Sequence, residues 1–254
     1  MFLTPRWIAS HLFAATMIAA FVGAGLWQVE RLGERQDEND LVELRMGVAE
    51  AYETLLAVDS DELEFRRIVA EGSFDATAEI LIANRSDEGT PGFWQWTNFV
   101  TTSGDDLLVN RGFVPRAVVL ETEGVPPLAD ARPTTGVVTI EGLLRRGLDG
   151  GRVATNGDQL SRPDALQAVE ILGLSPSLDA SLYIELDAQD PPRATPMPRP
   201  VPPPDLRDGP HLSYAFQWFT FALIGAIGYA AILLRIRRGD QARGDVPHGI
   251  EASA

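Results

Sequence analysis

The chain has 254 residues, 45% hydrophobic and 22% charged, which is too apolar for disorder and enough for one domain plus membrane segments. Its 36 acids and 21 cations leave a formal charge of −15, and every cation is arginine, so nucleic acid, which needs a basic footprint, is excluded as a partner. There is no cysteine, which removes disulfides, zinc ribbons, thiol nucleophiles, covalent haem c attachment and thiolate copper sites; the imidazole ligands are limited to His11, His211 and His248.

Residues 1–6 end in Arg6, and Trp7–Val29 then runs 23 residues without a charge. At ~1.5 Å per residue, about 20 helical residues cross the hydrocarbon of a bilayer, so 7–29 is expected to be a transmembrane helix. A cleaved signal peptide is the competing reading, since Arg6 and Val22-Gly23-Ala24 suit its two ends. The apolar run exceeds the usual ~7–15 residues, however, and Trp27 closes it as an interfacial anchor does.

The region 30–189 reads as a β-rich (α+β) domain. Leu41, Leu44, Val48, Tyr52 and Leu55 recur at helical spacing, predicting that a helix over Gly33–Ala57 continues the first span. Strands are expected at Phe65–Phe74, Ala78–Ala83, Trp94–Thr101, Asp106–Val114, Gly136–Leu144 and Ser181–Asp187, separated by Gly, Asp and Asn. One amphipathic helix is expected at Pro163–Leu172, stopped by Gly173. Residues 190–210 hold nine prolines and read as a semi-rigid extended tether.

A second span is expected at 211–234, where Leu212–Leu234 is again uncharged, followed by a tail, 235–254, opening on Arg235, Arg237 and Arg238. That arginine cluster belongs in the cytoplasm by the positive-inside rule. Two spans place the N-terminus there too, and residues 30–210, net −17, face outward. The expected fold class is therefore a membrane protein in which two transmembrane helices flank an extracytoplasmic β-rich domain.

Catalytic signatures are scarce: there is no Walker A run, no G-x-S-x-G, no H-E-x-x-H and no dinucleotide fingerprint. The sequence lacks the acid–base or redox machinery of a haem-modifying enzyme. Two motifs stand at the ends of the spans. Gly25-Leu26-Trp27-Gln28, with Arg31 a turn on, closes the first. His211-Leu212-Ser213-Tyr214-Ala215-Phe216-Gln217-Trp218-Phe219 opens the second, and with both ends at the outer leaflet the two can touch. On the second span His211, Ala215, Trp218, Ala222, Gly225 and Tyr229 share one helical face. On the first, Ala15, Ala19 and Gly23 repeat every four residues toward Trp27, and small residues let membrane helices approach closely. His211 and the two indoles are then expected to border one cleft.

Two readings of His211 stand. It is an interfacial histidine bonded to a headgroup, a water or a capped backbone group, or it is an axial ligand of haem iron, for which neutral imidazole is the ligating form. Trp27 and Trp218 are likewise either cleft walls or interface-belt anchors.

The chain resembles the Surfeit-locus family of cytochrome c oxidase assembly proteins over nearly its whole length. The resemblance rests on Gly25, Trp27, Gln28 and Arg31, on F-R-R-x-x-x-x-G-x-F (Phe65, Arg66, Arg67, Gly72, Phe74), and on Asn84-Arg85 before Pro91-Gly92. The V-N-R-G-[WF]-V-P block (Val109–Pro115) and the H-L-x-Y-A-x-Q-W-F opening of the second span complete it. Phe113 stands where many members carry Trp. The resemblance implies a non-catalytic assembly factor in a bacterial plasma membrane, binding or handing on haem a, with His211 as the iron ligand. Trp27, Gln28, Tyr214, Gln217, Trp218 and Arg111 are the accompanying candidates. The implied partners are the large subunit of cytochrome c oxidase, the haem a synthesis enzymes and the lipid bilayer. Arg111 has two readings: a structural residue on a nearby acid in a strand-ending turn, or a contact to a haem propionate or the oxidase subunit. The rival function is a doubly tethered extracytoplasmic sensing or scaffolding protein without haem. A sensor needs an output module, for which the 20 residues from Arg235 are too few.

Overall fold

A computed structural model describes residues 4–121, 131–154 and 159–244. In chain order its elements are α1 (Pro5–Met46), β1 (Ala49–Ala51), α2 (Tyr52–Leu55), α3 (Ser60–Leu63), β2 (Arg67–Asp87), β3 (Thr90–Thr101) and β4 (Asp106–Pro115). There follow α4 (Arg116–Glu121), β5 (Val138–Arg146), β6 (Gln159–Leu160), α5 (Ala165–Leu172), β7 (Leu182–Asp190) and α6 (His211–Gly244). They form two units, one from the chain up to Asp40 and from Leu206 onward, the other from Leu41–Asp205.

The first unit is the pair α1 and α6, both long and apolar enough to cross a membrane. Leu12, Phe13, Phe216, Leu223, Ile224 and Ile227 all lie exposed on it, an outward apolar surface that water would penalise and lipid accepts. Such helices fit a membrane anchor.

The seam between them corrects one expectation. On α6 the face inferred from sequence is the one that packs: Ala215 and Ala222 are buried, and His211, Trp218, Gly225 and Tyr229 are partly so. On α1, however, Ala15, Ala19 and Gly23 are exposed, and a Cβ on Gly23 would meet nothing within 4 Å. The packing residues are His11, Ala14, Ile18, Phe21, Gly25 and Gln28. Alternating steps of three and four hold this set on the seam, whereas a strict four-residue repeat drifts around the helix. Gly25 must be small: a Cβ there would lie 2.6 Å from the Phe219 ring.

The second unit is a barrel. β2 pairs with β3, β3 with β4, β4 with β7, β7 with β5, and β5 returns to β2, so these five strands close on themselves; β1 and β6 add in parallel to β2. Closure removes the free edges through which open sheets aggregate. The two strands expected at Phe65–Phe74 and Ala78–Ala83 are one 21-residue strand, β2, irregular between Asp75 and Glu79. Its hinge is Gly72, which pairs with Val138 on one side and Thr101 on the other; a Cβ there would sit 2.2 Å from the Val100 carbonyl oxygen.

Period-two alternation divides the side chains. Ile68, Phe99, Val109, Ile140 and Ile184 share the main core, and Tyr52, Leu55 and Leu63 plug it. Ile80, Ile82, Trp96, Leu108 and Tyr183 face the other way, under α5 through Ala165 and Ala168. That helix starts two residues later than expected because Asp164 is its N-cap, accepting from the Gln167 amide at 3.1 Å; Gly173 ends it at φ 66°.

Two further expectations change. The helix predicted over Gly33–Ala57 stops at Met46, because Ala49–Ala51 pairs with β2; Tyr52 and Leu55 then enter the barrel while Leu41, Leu44 and Val48 stay exposed. The proline-rich tether is part of the barrel as far as Asp205, stitched on at Arg199. The tail from residue 245 lies outside the described residues.

Candidate functional site

In the helical unit the backbone before α6 is shaped to present His211. Gly209 adopts φ +72°, open to glycine and costly for other residues. The Ser213 hydroxyl caps the turn by donating to the Pro210 carbonyl at 2.7 Å. Two amides of α1 hold the approach: Asn39 donates to the Leu206 carbonyl at 2.7 Å, and Gln36 donates to Asp208 at 2.8 Å. Sequence reading missed both, although Asn39 lies two heptads beyond Gly25 on the seam and was legible as such.

The imidazole of His211 meets Gln28 of α1, with Nδ1 2.9 Å from Oε1. A carboxamide oxygen only accepts, so Nδ1–H donates, which in a neutral ring leaves the lone pair on Nε2. Beside Nε2 stands Gly209, where a Cβ would come within 3.6 Å. The ring is thus held by a partner on one nitrogen and flanked at the other by a residue without a side chain.

Of the residues expected around His211, the structure brings Gln28 to it directly. Trp218 lies two turns deeper, stacked on Phe21 at 5.8 Å with Phe221 edge-on at 5.9 Å. Trp27 is 55% exposed and Tyr214 47%, both off the seam, and Gln217 is exposed as well. The single cleft walled by two indoles is therefore not formed; the tryptophans lie on different faces because 27 is one residue off the 25–28 stripe. A second polar pair ties the other end of the helices, with the Tyr229 hydroxyl 2.6 Å from His11 Nδ1.

Arg111 lies in the barrel unit, 3% exposed and turned inward, and donates to Glu79 at 2.9 Å. Thr97 donates to the same carboxylate at 2.8 Å and Gln95 at 3.2 Å. Burial raises the Glu79 pKa despite the adjacent guanidinium, and burial lowers that of Arg111 to about 10. Breaking such a pair costs about 3–5 kcal/mol, since a buried charge loses its partner. Of the two readings of Arg111, the geometry supports the structural one, a residue on a nearby acid, since its charge is satisfied by Glu79 inside the barrel.

The rest of that sequence block serves the strap formed by the proline-rich segment. Asn110 accepts from the Gly112 amide at 3.1 Å, turning the strand outward. Gly112, at φ +129°, lies under Arg199, whose carbonyl oxygen would be 2.1 Å from a Cβ. Phe113 bonds the Arg199 backbone and receives its guanidinium 5.1 Å above the ring. In the F-R-R block, Arg66 bonds Glu50, and Arg67 bonds Glu141 and Asp187.

A closed barrel inserted in sequence between two helices of membrane-spanning length, one of them presenting an oriented imidazole, defines a class of doubly anchored barrel proteins. The chain belongs to the SURF1 family, whose model matches residues 15–223. It is 27% identical over 259 residues to an uncharacterized SURF1-like protein of Mycobacterium tuberculosis, covering 96% of this chain and 91% of that one. A SURF1-like protein of Monosiga brevicollis is 27% identical over 49% of this chain and 50% of its own length. Surfeit locus protein 1 of Takifugu rubripes is 32% identical over 41% of this chain and 50% of its own. The family is a class of cytochrome oxidase assembly factors.

Proposed function

We propose that this protein handles haem a during assembly of a haem–copper oxidase, receiving the cargo near the haem a synthesis enzymes and passing it to the large oxidase subunit. The observation that carries the reading is the His211–Gln28 contact: Gln28 fixes the tautomer in which Nε2 is free to ligate iron. Bound there, the haem would supply an iron centre with one imidazole ligand from this chain. His211 would bind, Gln28 would orient it, and Gly209 would leave room on the ligating side. The lipid-facing surroundings of α1 and α6 suit a largely apolar macrocycle. The arginine distribution supports a plasma-membrane orientation with both termini cytoplasmic and the barrel outside.

The test is the visible spectrum of detergent-purified protein made in cells that synthesise haem a. The wild type is expected to copurify haem a with a low-spin signature, and His211→Ala to lose it while still inserting in the membrane. His248→Ala is expected to behave as wild type. Haem a retained by His211→Ala with an unchanged spectrum would remove this assignment and leave the tethered scaffold as the better reading.

A further inference from the structure

The Asn84-Arg85 and Pro91-Gly92 motif has no part in the haem reading, yet its four residues line one hollow of about 290 Å³ on the barrel, together with Arg116 and Gln159. The motif sits at the β2–β3 hairpin, where Arg85 pairs with Gly92, and Arg116 begins the turn after β4. Gly92 has to lack a side chain, since a Cβ would lie 2.3 Å from the Val114 carbonyl oxygen. Asn84, at φ +59°, bonds the Ser161 carbonyl at 3.1 Å and fixes the rim.

In a region holding twice as many acids as arginines, Arg66, Arg67, Arg111, Arg145, Arg146 and Arg199 each hold a carboxylate, while Arg45, Arg152, Arg162 and Arg193 form no ion pair among the described residues. Arg85 and Arg116 form no ion pair among the described residues. Arg85 is also held in place. Its Nε donates to the Ala83 carbonyl at 3.2 Å and its guanidinium carbon lies over Trp94, 4.8 Å from the ring centroid. Its two terminal nitrogens make no hydrogen bond among the described residues. Burial lowers the Arg85 pKa from its ordinary value, with Tyr183 opposing the shift and the charge of Arg162 adding to it. Two guanidiniums kept apart from carboxylates in a half-enclosed polar hollow form a fork for a planar or tetrahedral anion.

We infer that this hollow binds an oxyanion of the carboxylate or phosphate type, held by Arg85 and Arg116. Its size limits the occupant to a small free anion or to the acidic end of a side chain presented by another protein. Asn84 and Gln159 supply the polar rim. The site is independent of His211, which lies in the other unit.

Calorimetry on the full chain in detergent, with inorganic phosphate, succinate and an end-blocked triglutamate peptide as probes, tests this. At least one probe is expected to bind saturably at one equivalent, weakening as sodium chloride is raised. Binding of phosphate or succinate identifies a free anion, and binding of the peptide alone identifies a protein-borne carboxylate. Arg116→Gln, at an exposed position that leaves the fold intact, is expected to weaken binding about tenfold, and Arg85→Gln by at least as much. Failure of all three probes to bind beyond the sodium chloride control overturns the proposal. So does undiminished affinity in Arg116→Gln.

Discussion

Phe113 and Arg199 exchange both of their backbone hydrogen bonds, the Phe113 amide donating at 2.7 Å and the Arg199 amide at 2.8 Å. Through this one pair the proline-rich strap is fastened to β4, and Asp87 holds the Arg199 side chain at 2.9 Å. The glycine beneath it cannot be replaced without moving the strap. Gly112→Ala is expected to cost about 1–3 kcal/mol from its backbone conformation alone, with the steric clash added. Thermal unfolding reads the loss, and trypsin should cut after Arg193 faster than in wild type. An unchanged cleavage rate would show that the strap does not depend on this contact.

The Glu79–Arg111 pair predicts a particular pH dependence. The Glu79 pKa lies above its ordinary value of 4.5, so the folded state holds that proton more tightly than the unfolded chain. Stability should then fall as pH rises from about 4.5 through the raised value, and flatten beyond it. Glu79→Gln, which cannot ionise, should flatten this window. Arg111→Met should move the falling limb to higher pH, since only Gln95 and Thr97 would remain on the carboxylate. Unfolding temperatures measured from pH 4 to 9 check both; identical slopes in wild type and Glu79→Gln would contradict the assignment.

Gln28 should matter through His211. Gln28→Leu removes the acceptor on Nδ1 and is expected to weaken haem retention about 10–100-fold, as loss of an outer partner does at metal sites. Gln28→Glu keeps an acceptor and should retain haem. Titration of haem into apoprotein, followed by its absorbance, separates the two variants.

The seam between the helices gives a steric prediction. Gly25→Leu collides with Phe219 and Ala222→Leu with a buried position, so both should loosen the helix pair. Gly23→Leu points into open space and should change nothing. Cysteine crosslinking between positions 18 and 225 in membranes reports the difference; equal loss in all three variants would argue against this seam.

Orientation is testable because the chain has no cysteine of its own. With single cysteines at Ser86 and Ser253, an impermeant maleimide on intact cells should label the first and spare the second. The reverse pattern would invert the topology.

The helical spans, the face of α6 and the strand-forming segments were legible in the sequence, because charge-free length and period-two alternation are local properties of the chain. The same holds for α5, whose cap and terminal glycine sit where helix-end chemistry requires them. The face of α1 was misread because a run of small residues signals close approach only where the partner presents backbone or a flat ring. That depends on where Phe219 and Trp218 fall on the other helix. Nor could spacing reveal that Glu79, Gln95, Thr97 and Arg111 meet, since they come from three strands whose register is shifted by irregularities at Asp75–Glu79 and Gln95–Trp96. Arg111 could be read as bound to an acid or to a ligand while its carboxylate, 32 residues away, was unknown. The strap likewise read as a free tether, because nothing in a proline-rich composition tells where the chain lies. The sequence alone determined most of the helical and strand segments and which helices suit a membrane, whereas the end of α1 was decided by the pairing of Ala49–Ala51 with β2. Which side chains meet was decided by barrel closure, because closure joins residues from strands far apart in the chain.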